Sequence, residues 1–263
     1  MSWWGKLFGG TFGFMLGGPL GALIGAAIGH RLDARVQDVT DEQQGVFGRE
    51  RIQMAFFTAT FSVMGHLAKA DGRVTTDEIR LAQMVMQQMQ LDDRLRKLAQ
   101  KLFNEGKASN FPLDDVLDQL KHECRHRHSL LRMFLEIQMQ GALADGVFHA
   151  AERSLLLRVA RRIGFSAAEF EQLEAMMSAS GRYSNASGVS PETQLSDAYA
   201  ILNVQQTASD ADVKKAYRRL MSQHHPDKLV AKGLPEEMMK LATEKTKQIS
   251  LAYDLILKHR GIK

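Results

Sequence analysis

The sequence predicts an all-α chain in three parts: an N-terminal transmembrane helix, a central helical bundle and a C-terminal helical hairpin. Three observations predict it. Residues 7–29 carry no charged side chain. Residues 46–177 repeat apolar side chains at helical spacing, with methionine and leucine at the core positions. Two amphipathic stretches near the C-terminus flank His225-Pro226-Asp227, where proline must interrupt a helix. A chain of 263 residues accommodates two small domains and accessory segments. The expected boundaries are a short non-cytoplasmic N-terminus at 1–6, a membrane helix at 7–30 and a juxtamembrane segment at 31–45. The bundle then covers 46–177, a flexible linker 178–193 and the hairpin domain 194–263.

The uncharged stretch, as a helix, is about 35 Å long, enough for a hydrocarbon layer of about 30 Å. Trp3 and Trp4 flank one end and Arg31 and Arg35 the other. The stretch is longer than the apolar core of a cleaved signal peptide, so an uncleaved anchor is expected. Gly9, Gly13, Gly17, Gly21, Gly25 and Gly29 recur every four residues. They expose a stripe of backbone along one helix face, which lets two membrane helices approach closely, so a homodimer is expected.

The bundle should contain about seven helices with approximate internal symmetry. Ala70-Asp71-Gly72 with Glu78 recurs as Ala144-Asp145-Gly146 with Glu152. Each copy ends an apolar helix, turns at Asp-Gly and starts another. Thr75 with Glu78 fits a capping box, and Asp92 and Ser166 suit N-caps. If the two turns meet, Asp71, Glu78, Asp145 and Glu152 supply oxygen ligands suited to calcium or magnesium. Turn and cap formation also accounts for them. His122, Cys124, His126 and His128 pair at i, i+4 on two different faces, a solvated polar run rather than a zinc tetrad. From 178 to 193 the apolar period disappears and Ser, Gly, Asn and Pro dominate, the composition of a linker.

In the hairpin, Ser209 is a good N-cap, and Asp210 and Asp212 favour the positive end of a helix dipole. Val213, Ala216, Tyr217 and Leu220 make one apolar face, while Lys214, Lys215, Arg218 and Arg219 fall opposite. Gly233 and Pro235 mark a new start, after which Ala242, Ile249, Ala252, Tyr253 and Ile256 repeat the helical spacing. A shorter upstream helix carrying Tyr199, Ile201 and Leu202 closes a small core. The net charge of +4 lies entirely here. Residues 195–263 hold 12 Lys and Arg against 8 Asp and Glu, and the rest of the chain balances. One acidic partner surface is expected, rather than a chain coated for nucleic acid. A single cysteine, Cys124, excludes an internal disulfide. No phosphate-binding glycine loop or coherent nucleophile is present, so the chain is not expected to be an enzyme, and no cofactor is expected.

The text from Asp197-Ala198-Tyr199-Ala200-Ile201-Leu202 through Val213–Leu220 to His225-Pro226-Asp227-Lys228, and on to Ile249–Leu255, resembles the J-domain of the DnaJ co-chaperone family. It departs at Asn203, where glycine is usual. The family's cysteine-rich zinc module is absent and the J-domain lies C-terminally. The resemblance implies that His225, Pro226 and Asp227 contact a DnaK-type chaperone and stimulate its ATP hydrolysis, with Lys214, Lys215, Arg218 and Arg219 steering toward an acidic groove. The paired Asp-Gly turns resemble the TerB family of tellurite-resistance proteins. The whole layout is similar to that of a membrane-anchored co-chaperone of the DnaJ family. Placing the J-domain beside an ATP-driven partner puts the bulk in the cytoplasm, at the inner membrane, with an unidentified client recruited by the bundle. Two other readings are a metal-responsive membrane stress protein built on the acidic turns, and a nucleic-acid-binding protein using the basic helix. The latter helix lacks the aromatic residues that stack on bases.

Overall fold

The computed structural model describes residues 41–69, 83, 85–87, 89, 91–143, 149–184 and 190–262; within them every regular element is helical. The axis of the first domain is α1 (Asp41–Leu67). Every residue from 52 to 65 is buried. A helix apolar on all sides belongs in a core, not on a surface. Around it pack α2 (Asp93–Gly106), α3 (Leu113–Glu123), α4 (His128–Ala142) and α5 (Ala150–Ile163), and α6 (Ala167–Ser184) lies against α4 and α5. None of the described helices is long and apolar enough to cross a membrane. The expected span 7–30 and its stripe Gly9, Gly13, Gly17, Gly21, Gly25 and Gly29 lie outside the described residues.

Asp92 and Ser166 cap helix starts as expected, and the Thr75–Glu78 box lies outside the described residues. Asp92 Oδ1 accepts from Leu95 N at 2.8 Å. Ser166 and Glu169 form a reciprocal box, with Glu169 N donating to Ser166 Oγ at 3.2 Å and Ser166 N donating to Glu169 Oε2 at 2.8 Å. Gly164 ends α5 at φ +106°, the left-handed stop that glycine adopts without strain. The buried hydroxyls of Thr60 and Ser62 donate back to Phe56 O and Thr58 O at 2.7 and 2.8 Å. They need no outside partner.

The C-terminal domain consists of α7 (Pro191–Ile201), α8 (Asp210–His224), the short α9 (Pro226–Ala231), a 3-10 turn (Glu236–Met238) and α10 (Met239–Arg260). Its own core gathers Tyr199, Ile201, Leu202, Val213, Leu220, Ile249, Ala252 and Ile256. The Tyr217 and Tyr253 rings stack at 4.1 Å beside it.

Two findings differ from the sequence reading. The expected linker 178–193 is largely helical: α6 runs to Ser184 and α7 starts at Pro191, leaving 185–189 outside the described residues. Ala179 is fully buried in the core of the hairpin domain, and Arg182 Nη2 meets Asp197 Oδ1 at 2.5 Å. Small residues stand there because α6 and α7 pack closely, not because the chain is loose. The hairpin domain, moreover, does not hang on a tether. Leu229, Leu234, Met238, Leu241 and Ala242 enter the same apolar cluster as α1 to α6.

Candidate functional site

The helix α8 carries the site because its two faces are chemically opposed. Val213, Ala216 and Leu220 are buried against α10, and Lys214, Lys215, Arg218 and Arg219 are exposed on the other side. None of these four cations forms an ion pair or side-chain hydrogen bond among the described residues, so their fields add outward. Ser209 Oγ accepts from Asp212 N at 3.2 Å, which starts the helix at the position required for this register.

The corner follows from proline. His225, at φ −59° and ψ 123°, leaves the helical region, as a residue before proline should. Pro226 then serves as the first residue of α9, where its missing amide costs nothing. The connection is thus a single non-helical residue between two helices. His225 Nδ1 accepts from Asp227 N at 3.2 Å, and His225 O accepts from Leu229 N at 3.0 Å. This orients the imidazole and leaves its other nitrogen without a bond among the described residues. Both His225 and Asp227 are exposed, and Pro226 is half-buried. Lys228 donates to Ser222 Oγ at 2.8 Å, bracing the corner across its mouth. The corner thus exposes a ring and a carboxylate, and α8 before it exposes four cations without a partner among the described residues.

Directly behind the corner lies a buried ionic cluster that sequence reasoning missed. His224, only 2% exposed, places Nε2 at 3.0 and 3.1 Å from the two carboxylate oxygens of Glu136 on α4. Arg132 Nε donates to Glu136 at 3.0 Å. Lys245 of α10 is buried beside them, its Nζ 3.2 Å from Met177 Sδ. Burial alone pushes the Glu136 carboxyl up, but the attraction of His224, Lys245 and Arg132 outweighs it and holds the group ionised, far below the usual range. Burial pushes the Lys245 ammonium down, with Glu136 opposing. Two signals pointed here: Glu136 is a lone acid among apolar neighbours on α4, and Lys245 falls in core register between Ala242 and Ile249.

The other singled-out residues are not gathered into a site. Asp71, Glu78 and Asp145 lie outside the described residues. The Glu152 carboxylate accepts from His149 N at 3.3 Å as part of the capping of α5. Among the described residues no three His, Cys, Asp or Glu side chains are grouped to hold a metal. Of the His122 to His128 run, Cys124 is fully buried and the His128 ring lies 4.5 Å from that of Phe165.

Comparison with known proteins matches three family descriptions in order along the chain. Residues 1–51 match the Co-chaperone DjlA transmembrane domain, 57–175 Tellurite resistance protein TerB, and 197–260 the DnaJ domain. The chain is 46% identical to Co-chaperone protein DjlA of Photorhabdus laumondii over 100% of both chains. It is 45% identical to the Vibrio cholerae protein of that name over 98% of this chain and 99% of the relative. Identity to the Coxiella burnetii protein is 50%, over 81% and 80% respectively. No solved structure matches. The exposed corner, the basic helix before it and this end-to-end similarity together establish that the chain belongs to the DjlA family of J-domain co-chaperones.

Proposed function

We propose that the chain is anchored in the inner membrane and engages a DnaK-type chaperone in the cytoplasm, stimulating its ATP hydrolysis. The observation that carries this reading is the exposed corner His225-Pro226-Asp227 beside the unpaired cations Lys214, Lys215, Arg218 and Arg219. In this reading the chain acts on the partner's ATPase. Charge brings an acidic groove onto α8 quickly, and the corner then makes the contacts that matter for hydrolysis. The TerB-like domain holds a client or membrane complex near that event, and the glycine stripe of the anchor pairs two copies. Anchoring concentrates the J-domain at the membrane without any new contact.

Single-turnover ATP hydrolysis by the cognate DnaK-type protein tests the reading, with the full chain in detergent or vesicles. Wild type accelerates hydrolysis and His225→Gln leaves it at the unstimulated rate. Equal acceleration by both proteins removes the mechanism.

A further inference from the structure

We infer that Glu136, on the TerB-like domain, is a positioning residue for the J-domain corner and acts through His224. The inference rests on the reading of the corner given above and adds the element that holds it. His224 is the last residue of α8 and is bonded directly to His225. Its ring is fixed at both nitrogens: Nδ1 lies 3.0 Å from Leu220 O, and Nε2 lies within bonding distance of both Glu136 oxygens. Both ring nitrogens thus face an oxygen, one of the backbone of α8 and the others of the TerB-like domain. The ring cannot turn without breaking a bond to a carboxylate at a site where both side chains are buried.

The other side of the corner is seated in the same domain. Leu229, four residues after His225, is buried in the shared core together with Leu234, Met238 and Leu241. Gly233 lies against Ile52 of α1, and Lys232 Nζ donates to Ser129 Oγ at 2.8 Å at the start of α4. Residues 224 and 229 are therefore both gripped by the TerB-like domain while His225 and Asp227 remain exposed between them. The basic face of α8 lies away from this contact. The TerB-like domain thus fixes the geometry of the corner without covering the surface that attracts the partner.

That division predicts which kinetic quantity moves. Attraction is set by the untouched cations, so the concentration giving half-maximal stimulation stays as in wild type. The maximal stimulation depends on the posture of the corner once bound, and it falls. His224→Phe keeps a ring of similar size, removes both ring nitrogens and leaves Glu136 bonded to Arg132, with the Lys245 charge still acting on it. In the full chain it lowers maximal stimulation roughly tenfold, a loss that small misplacements of an acting group produce. His224→Gln returns a donor at similar reach to Glu136 and restores most of the stimulation. A second route replaces the buried charges by apolar groups of similar volume, Glu136→Leu with Lys245→Met, which such sites often tolerate. It leaves His224 Nε2 without its partner on α4 and lowers the maximum likewise.

Wild-type stimulation by His224→Phe overturns the inference. So does a shift confined to the half-maximal concentration, which is what partial unfolding gives, or an equal loss in His224→Gln. Wild type and His225→Gln run alongside: an inactive wild type defeats the proposed function, whereas an active wild type with an unaffected His224→Phe defeats this inference alone.

Discussion

Gly65 of α1 and Gly106 of α2 meet the opposite helix backbone so closely that neither position has room for a β-carbon. A methyl on Gly65 would sit 1.9 Å from Phe103 O, and one on Gly106 1.8 Å from Ser62 O. Backbone cannot step aside as a flexible side chain can, so the helices must separate. The gain in helix propensity from glycine to alanine, about 1 kcal/mol, is smaller than the overpacking cost of about 1–3 kcal/mol or more. Gly65→Ala and Gly106→Ala each lower the urea midpoint of unfolding.

Gly181 is the opposite case. It is exposed on α6 with nothing within 4 Å of an added methyl. Because Gly181 lies within α6, Gly181→Ala stabilises by about 0.5–1 kcal/mol. A change near zero in thermal unfolding is what a flexible linker would give, and it would remove the helical assignment there.

Asn203 stands where J-domains usually have glycine, and its backbone explains both residues. Its φ is +53°, in the left-handed region open to glycine and tolerable to asparagine. Its amide also reaches Gln172 Oε1 of α6 at 3.3 Å, a bond between the two domains. Asn203→Gly should therefore be nearly neutral, whereas Asn203→Val should cost about 1–2 kcal/mol in chemical denaturation.

The J-domain was legible because its signals are local: one proline, one serine cap and apolar residues three and four apart. The docking was not, because it joins positions such as Glu136 and His224 that are 88 residues apart. Nothing near Glu136 names its partner. The linker was misread for a related reason. Ala179, Ser180 and Gly181 have the composition of a loop, yet Ala179 and Ser180 are small because α6 buries them. Composition reports side-chain size and polarity, and close helix packing selects small residues as a flexible loop does. The paired acidic turns read as caps or as a metal site, and the one member described, Glu152, serves as a cap.

Cys124 provides a pH-dependent test of the TerB-like core. Burial pushes its thiol up from 9.0 to about 12. Below 9.0 folded and unfolded chains both hold the proton, and the contribution to stability is complete. As pH rises from there toward about 12, the unfolded chain releases it first, so stability declines. Cys124→Ala should flatten that alkaline decline in urea titrations. Iodoacetamide should label Cys124 at mildly alkaline pH only after unfolding, since the thiolate is the reactive form.

The basic face and the corner should separate in their response to salt. Raising ionic strength from about 0.1 M to about 1 M shortens the screening length from about 10 Å to about 3 Å. Wild-type association with a DnaK-type partner should slow steeply over that range. Lys214→Glu with Arg218→Glu should flatten or reverse the slope, because the cations set the long-range field. His225→Gln should keep the wild-type slope of the association rate while abolishing stimulation. Stopped-flow association and hydrolysis assays read the two quantities apart.

Gly233 offers a way to loosen the docking without touching the ionic cluster. Its φ of +106° is a backbone state that L side chains rarely adopt, and a β-carbon there would lie 2.7 Å from Ile52 Cγ2. Gly233→Ala therefore strains the loop and pushes it off α1. The J-domain core of Val213, Leu220, Ile249 and Ile256 forms a separate apolar cluster and does not depend on that contact. Hydrogen exchange should accelerate across residues 229–242 and in the part of α1 around Ile52, while amides in the middle of α8 stay protected. Adding Ile52→Ala removes the closest contact, leaving the Ile52 β-carbon at 3.2 Å and the backbone strain, so protection should return only in part. Complete recovery would mean that the collision alone matters, and uniform loss across α8 would mean that the two domains fold as one unit.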